Sequence, residues 1–140
     1  MTTTLEAQGV TIGLDDASAS PLSYTTITGL TDINGPDGSA PEYDITSLAS
    51  TAREYRMGLH DEGNITLSGF YNPDDTGQTE AQTARKNRTK KSFKVSESDS
   101  PETTHTFDGY VTGFSIGRSR DQVATVDITI RITGDVTTST

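Results

Sequence analysis

The chain has 140 residues, enough for one domain with its own core, but only 30 % are hydrophobic, against roughly 45–50 % apolar, glycine included, in a usual globular protein. Its 20 acidic residues outweigh 11 basic ones for a net charge of −9, which argues against a protein that grips nucleic acid, because phosphate binding needs a basic footprint. There is no cysteine, so disulfides and thiolate metal sites are excluded. No apolar run approaches the roughly 18–20 residues of a membrane span, and no basic region precedes an apolar one at the N-terminus, so the expectation is a soluble chain made in a cytoplasm, without a membrane anchor.

The apolar deficit has two readings: a small core under much polar surface, or a protomer that completes its burial in an assembly. Thr is abundant, and Ile and Val fall mostly in alternating runs, which favours β structure. In chain order, residues 1–6 are expected to be mobile. LEAQGVTIGL (5–14) reads as a strand with Val10, Ile12 and Leu14 on one side, and 15–21 as a loop. A second strand is expected over 22–33, with Gly29 marking a bulge.

The segment 36–63 follows, set between two strands and poor in apolar residues. It is several times longer than the roughly 4–6 residues of an ordinary connection, and loops of that length are functional or stay disordered until something orders them. YDITSL, residues 43–48, suits a short extended piece. Residues 52–57 suit either a helical turn or another extended piece. The segment is expected to be ordered by other copies of the same chain, with Ile45, Leu48, Tyr55, Met57 and Leu59 as its apolar contacts and Arg53, Glu54 and Arg56 pairing with acids across the seam.

A strand is expected over 65–71. Asn72, Asp74 and Asp75 then supply cap residues for a helix over roughly 78–90. Glu80 near its start and Arg85, Lys86, Arg88, Lys90 and Lys91 at its end would complement the helix dipole. Its narrow Ala81/Ala84 stripe predicts a shallow contact on a sheet. The basic cluster has no interleaved aromatic, so a solvated helix end, or a salt bridge to an acidic neighbour, fits it better than nucleic-acid binding. Residues 92–95 read as a short strand, 96–103 as an acidic turn, and 104–116 as a long strand bent at Gly109 and Gly113, since its apolar parity changes around Gly109 and Tyr110. The clearest signal is Ala124, Val126, Ile128, Ile130 and Ile132 alternating with polar residues, a strand with one dry face. Residues 134–140 read as a polar tail. The sum is a mainly β fold: an antiparallel β-sandwich or partly closed barrel of about seven strands with one short flanking helix, in one domain over 1–140.

Chemistry-bearing patterns are scarce. His60 and His105 lie far apart and neighbour no activated nucleophile. No GxSxG, HExxH or phosphate-binding glycine loop occurs. The DINGPDG stretch from Asp32 hints at a calcium loop, but Pro36 occupies a ligand position, so a turn is the better reading. Catalytic, cofactor and metal sites are therefore not expected.

The order and spacing of several motifs do carry a resemblance. GLTDINGPDGS, then YDITSLASTAREYRMGLHDEGNITLSGFYNPDDTGQ, a polar helix, and the closing FDGYVTGFSIGRS and ATVDITIRITG resemble the tail tube (major tail) proteins of long-tailed bacteriophages, phage lambda and its relatives among them. The resemblance covers roughly residues 8–135. It implies a non-enzymatic virion protein with a β-sandwich and a flanking helix, assembled in the host cytoplasm. Hexameric rings of it would stack into a hollow tube around a tape-measure protein, between tail tip and tail terminator proteins, and DNA would pass through the lumen without specific binding. An acidic lumen repels phosphate, and Asp127, on the polar side of the last strand, is the candidate lumen residue. The alternatives are a type VI secretion-like tube protein, which shares the fold, and a monomeric β-sandwich module that binds a ligand such as a carbohydrate. The latter usually presents exposed Trp or Tyr platforms, and this chain has no Trp.

Overall fold

The computed structural model describes residues 9–16, 23–98 and 102–139. The expectations for residues 1–6, for the beginning of the first strand, for 17–22, for 99–101 and for Thr140 lie outside the described residues. The elements are β1 (Thr11–Asp16), β2 (Thr25–Ile27), β3 (Leu30–Asn34), β4 (Glu42–Asp44), β5 (Tyr55–Met57), β6 (Asn64–Phe70), α1 (Thr76–Asn87), β7 (Lys91–Ser96), β8 (Thr104–Gly117) and β9 (Thr125–Ser139). Seven strands form one antiparallel sheet in the order β2-β1-β7-β8-β9-β6-β3, while β4 and β5 form a separate two-stranded sheet.

The dry face of β9 organises the core. Val126, Ile128, Ile130 and Ile132 are all buried, each worth roughly 1.5–3 kcal/mol when fully removed from water. Ala124, the first residue of the expected alternation, lies just before the strand, where its carbonyl accepts from Tyr71 N at 3.0 Å. On β6, Ile65 sits opposite Ile130 and Leu67 opposite Ile128. A one-residue slip would turn both strands' apolar residues to water. Ile12, Leu14, Ile27, Phe93, Val95, Phe107 and Val111 complete one core with Ala81 and Ala84 of α1. The Phe93 and Phe107 rings stack within it at 5.5 Å.

The expected second strand is two strands. The chain breaks at Thr28 and Gly29, where Gly29 has φ +80°, and β2 and β3 go to opposite edges of the sheet. Because two residues join those edges, the sheet must curl until they meet. No ladder links β2 to β3, so the barrel is only partly closed.

The helix fastens that meeting point. Asp75 caps α1 by accepting from Gln78 N, and the same carboxylate accepts from Thr28 N at 3.1 Å and Thr28 Oγ1 at 2.8 Å. Gln78, 1 % exposed, donates to the carbonyls of Thr28 (2.9 Å) and Phe70 (3.0 Å) and accepts from Asn72 N (3.0 Å). Two glycines allow the approach. A Cβ on Gly69 would lie 2.3 Å from Gly29 O, and one on Gly77 would lie 2.5 Å from Thr26 O. The helix starts and ends earlier than 78–90, and its first turn holds no acid. Glu80 lies past that turn, so the capping carboxylate of Asp75 supplies the negative charge there.

Two features of the long strands differ from expectation. The parity change on β8 falls at a bulge between Val111 and Gly113, and a second irregularity falls between Thr106 and Asp108. Phe107, Gly109 and Val111 face inward, and Tyr110 faces out. The polar tail is not a tail: β9 runs on to Ser139, with Thr137, Thr138 and Ser139 opposite Thr106, His105 and Thr104. Threonine suits a pleated, solvated ladder as well as isoleucine suits a buried one, so polarity alone did not mark the end of the strand.

Candidate assembly interface

Residues 36–63 leave the sheet after β3 and return into β6. At their base, Ser39 and Asp61 exchange backbone hydrogen bonds at 2.7 and 2.6 Å, and Asp37 Oδ1 accepts from Asn64 N at 2.7 Å. The DINGPDG stretch thus uses its aspartate to hold backbone, as a turn. Further out, β4 and β5 pair as a hairpin with Glu42 opposite Met57, Tyr43 opposite Arg56 and Asp44 opposite Tyr55. The undecided piece at 52–57 is therefore extended at its end. Beyond the ladder, Ile45 N donates to Glu54 O at 2.9 Å, and Glu54 N to Thr46 Oγ1 at 2.8 Å.

This hairpin is held by polar bonds and by almost no burial. Every residue of β4 and β5 is exposed. All five expected apolar contacts face water: Leu48 at 109 %, Leu59 at 92 %, Met57 at 71 %, Tyr55 at 52 % and Ile45 at 51 %. Tyr43 belongs with them at 55 %. The strand alternation carries its signal, since Tyr43 and Ile45 share parity. Successive strand residues point to opposite faces, so Tyr43 and Ile45 lie on one face of the hairpin and Tyr55 and Met57 on the other. An isolated two-stranded hairpin is at best marginally stable in water.

The charged residues are more self-contained than expected. Arg53 pairs with Asp44 at 3.1 Å, and Glu54 accepts from Ser50 Oγ, both inside the excursion. Arg56 is exposed on β5. Hydrogen bonds from Thr46, side chain first and backbone second, hold the Asp44 carboxyl below the usual aspartate range. At the base, a backbone bond from Gly63 and then the Arg131 guanidinium do the same for Asp61, and Arg131 of β9 bonds directly to Asp61.

Asp127 is exposed on the outer face of β9, opposite Ser68 of β6 and Ser115 of β8. Ser68 Oγ donates to it at 2.9 Å. Asp32 of β3 stands on the other side of Ser68, so two acids flank one serine on this polar face. One grouping escaped the sequence reading because its members are distant in sequence: His60, Glu62 and Asp135 converge where the excursion returns to the sheet.

No protein-family model and no curated protein matches the sequence, but solved structures do match the fold. A chain from the tail of an empty gene transfer agent particle, refined with C6 symmetry, superposes with a TM-score of 0.80 at 20 % identity, covering 98 % of this chain and 100 % of that one. The SPP1 tail tube superposes with a TM-score of 0.74 at 12 % identity, over 96 % of this chain and 78 % of that one. The fold is that of a tail tube subunit. It recurs in an extracellular contractile injection system, where a chain of the PVC sheath-tube complex gives a TM-score of 0.71 at 15 % identity over 97 % and 91 % of the two chains. A chain in the tube-terminating cap of the anti-feeding prophage gives 0.73 at 17 % identity, over 100 % and 93 %.

Proposed function

We propose that this chain is the subunit of a bacteriophage tail tube, a non-enzymatic virion protein whose copies form hexameric rings stacked into a hollow cylinder. The fold likeness over the whole chain supports the class, and the C6 symmetry of the gene transfer agent tail supports six copies per ring. The observation that carries the reading in this molecule is the hairpin of β4 and β5. It exposes apolar side chains on both faces, Tyr43 and Ile45 on one and Tyr55 and Met57 on the other. One cover buries only one face. A subunit wedged between a neighbour in its own ring and a neighbour in the next has both faces covered, and an obligate interface supplies the area that the monomer lacks. In the free subunit the hairpin is mobile and docks on assembly, with Ile45, Leu48, Tyr55, Met57 and Leu59 as its apolar contacts and the exposed Arg56 turned to an acid across the seam, while Arg53 keeps Asp44 and Glu54 keeps Ser50 within the excursion. A tape-measure protein fills the lumen during assembly, and tip and terminator proteins close the ends.

The polar face of β9 and β6 lines the lumen, with Asp127 among its acids, so that DNA is repelled and slides. Deleting residues 40–58 is expected to leave a folded monomer that forms no tubes in negative-stain micrographs. Cylinders after that deletion would refute the role of the hairpin. A reconstruction of the tube with Asp127 on its outer wall would refute the lumen assignment.

A further inference from the structure

We infer that His60, Glu62 and Asp135 form a site for one divalent transition-metal ion of the zinc class, which clips the returning leg of the excursion to β9. His60 and Glu62 stand two positions apart on the leg between the hairpin and β6. Asp135 sits at the irregularity of β9, in the stretch that departs from the ladder between Thr133 and Thr137. The leg is held beside β9 independently of any ion: Ile132 N donates to Gly63 O at 3.0 Å, and Arg131 bonds to Asp61. Those fastenings bring the three donors together in an open recess of about 640 Å³, whose walls also include Leu59, Tyr110 and Ile132.

The separations suit coordination. His60 Nε2 lies 3.2 Å from Glu62 Oε1 and 3.3 Å from Asp135 Oδ1, and one ligand atom from each residue lies within 4.8 Å of the others. Zinc bonds to imidazole nitrogen and carboxylate oxygen at about 2.0–2.1 Å, so two ligands of a tetrahedral ion stand about 3.3–3.5 Å apart. The two histidine edges, at 3.2 and 3.3 Å, come close to that length, and Asp135, exposed with its Oδ1 also accepting from Val136 N at 2.9 Å, supplies the third corner. One nitrogen and two oxygens are a donor set that favours zinc and its neighbours over magnesium or calcium, which prefer oxygen alone. Three protein donors leave a fourth position open. Asp61 carries the remaining charge beside the site, but Arg131 occupies it, so the two free carboxylates balance a dication.

The site does not depend on the tube reading, because binding is measured on the free 140-residue chain. Titration calorimetry with zinc chloride is expected to give one ion per chain, with affinity weakened at least tenfold by His60→Ala and by Asp135→Asn. Substitution of partners that only orient a ligand already costs about 10–100-fold, and these residues would touch the ion. Zinc should raise the melting temperature of the unaltered chain and slow amide exchange over 59–63. His60→Ala should remove both responses while melting cooperatively without zinc. Equal binding by the unaltered chain and His60→Ala, or no binding at all, would overturn the site. Displacement of zinc by millimolar magnesium or calcium would overturn the class of metal.

Discussion

The sheet and the excursion use the same kinds of side chain in opposite ways. Ile128 and Leu67 are 0 % exposed, whereas Ile45 is 51 % and Leu59 is 92 % exposed. In the sheet each strand has a neighbour whose register presents an apolar residue at the same height. In the hairpin of β4 and β5 the ladder is complete, but among the described residues no second layer covers it, and every strand residue stays exposed. Backbone hydrogen bonding alone therefore specifies the shape of the excursion without giving it burial, and burial is the dominant favourable term in both folding and association. The sheet belongs to the folded monomer, and the hairpin to whatever covers it.

The largest expected effect sharpens this contrast with one substitution in each region. Leu67→Ala empties a fully buried position between β3 and β9 and should cost about 2–5 kcal/mol of unfolding free energy. Leu59→Ala removes a side chain already in water and should change monomer stability by no more than about 0.5 kcal/mol, yet reduce tube formation. Denaturant melts of both variants, with sedimentation of the assembled fraction, read the two effects separately. Equal destabilisation by the two would show that the excursion packs as core, and the contrast would fail.

A smaller loss is expected where the two sheet edges meet. Gln78→Leu keeps the volume near the helix but leaves the carbonyls of Thr28 and Phe70 and the amide of Asn72 without their partner. A buried polar group left unpaired costs about 1–3 kcal/mol, and relaxation toward water should keep the total near about 3 kcal/mol. The effect should appear in global stability and not in the exchange of hairpin amides. If the hairpin loosened with it, the two regions would be one cooperative unit.

Much of the sheet was legible from period-two patterning, because β6 and β9 have one dry and one wet face and each residue's parity states its direction. The Asp75 cap was legible for a similar reason, since its role is local. What was hidden is non-local. Nothing in the run from Thr25 to Ile33 says that its halves part to opposite edges, because that depends on Gln78 and Asp75 arriving from the helix. The bulge at Val111–Gly113 is fixed by pairing with β9; Gly113 marked a bend there, while the apolar parity alone placed the change a few residues early. In the excursion, composition identified which residues lack internal burial, whereas the hairpin itself comes from the pairing of 42–44 with 55–57. The cluster of His60 and Glu62 with Asp135 needs the irregularity of β9 to bring the third donor round, and no spacing rule spans that distance.

The smallest effect probes the excursion alone. Asp44 is held below the usual aspartate range because the hydroxyl and amide of Thr46 favour its charged form. A carboxyl whose folded pKa is depressed adds stability that is present above its unfolded value and lost as pH falls through the folded one. The hairpin should therefore loosen further as pH drops below about 4, the ordinary aspartate value. Amide exchange at Thr46 should quicken through that window, and Asp44→Asn should flatten the response, because the amide cannot titrate. Asp44 lies on the exposed hairpin, outside the core, so the change should be local and leave global unfolding near its starting value. A matching loss in the exchange protection of β9 would mean that the excursion and the sheet share their stability, against the division of labour that their burial implies.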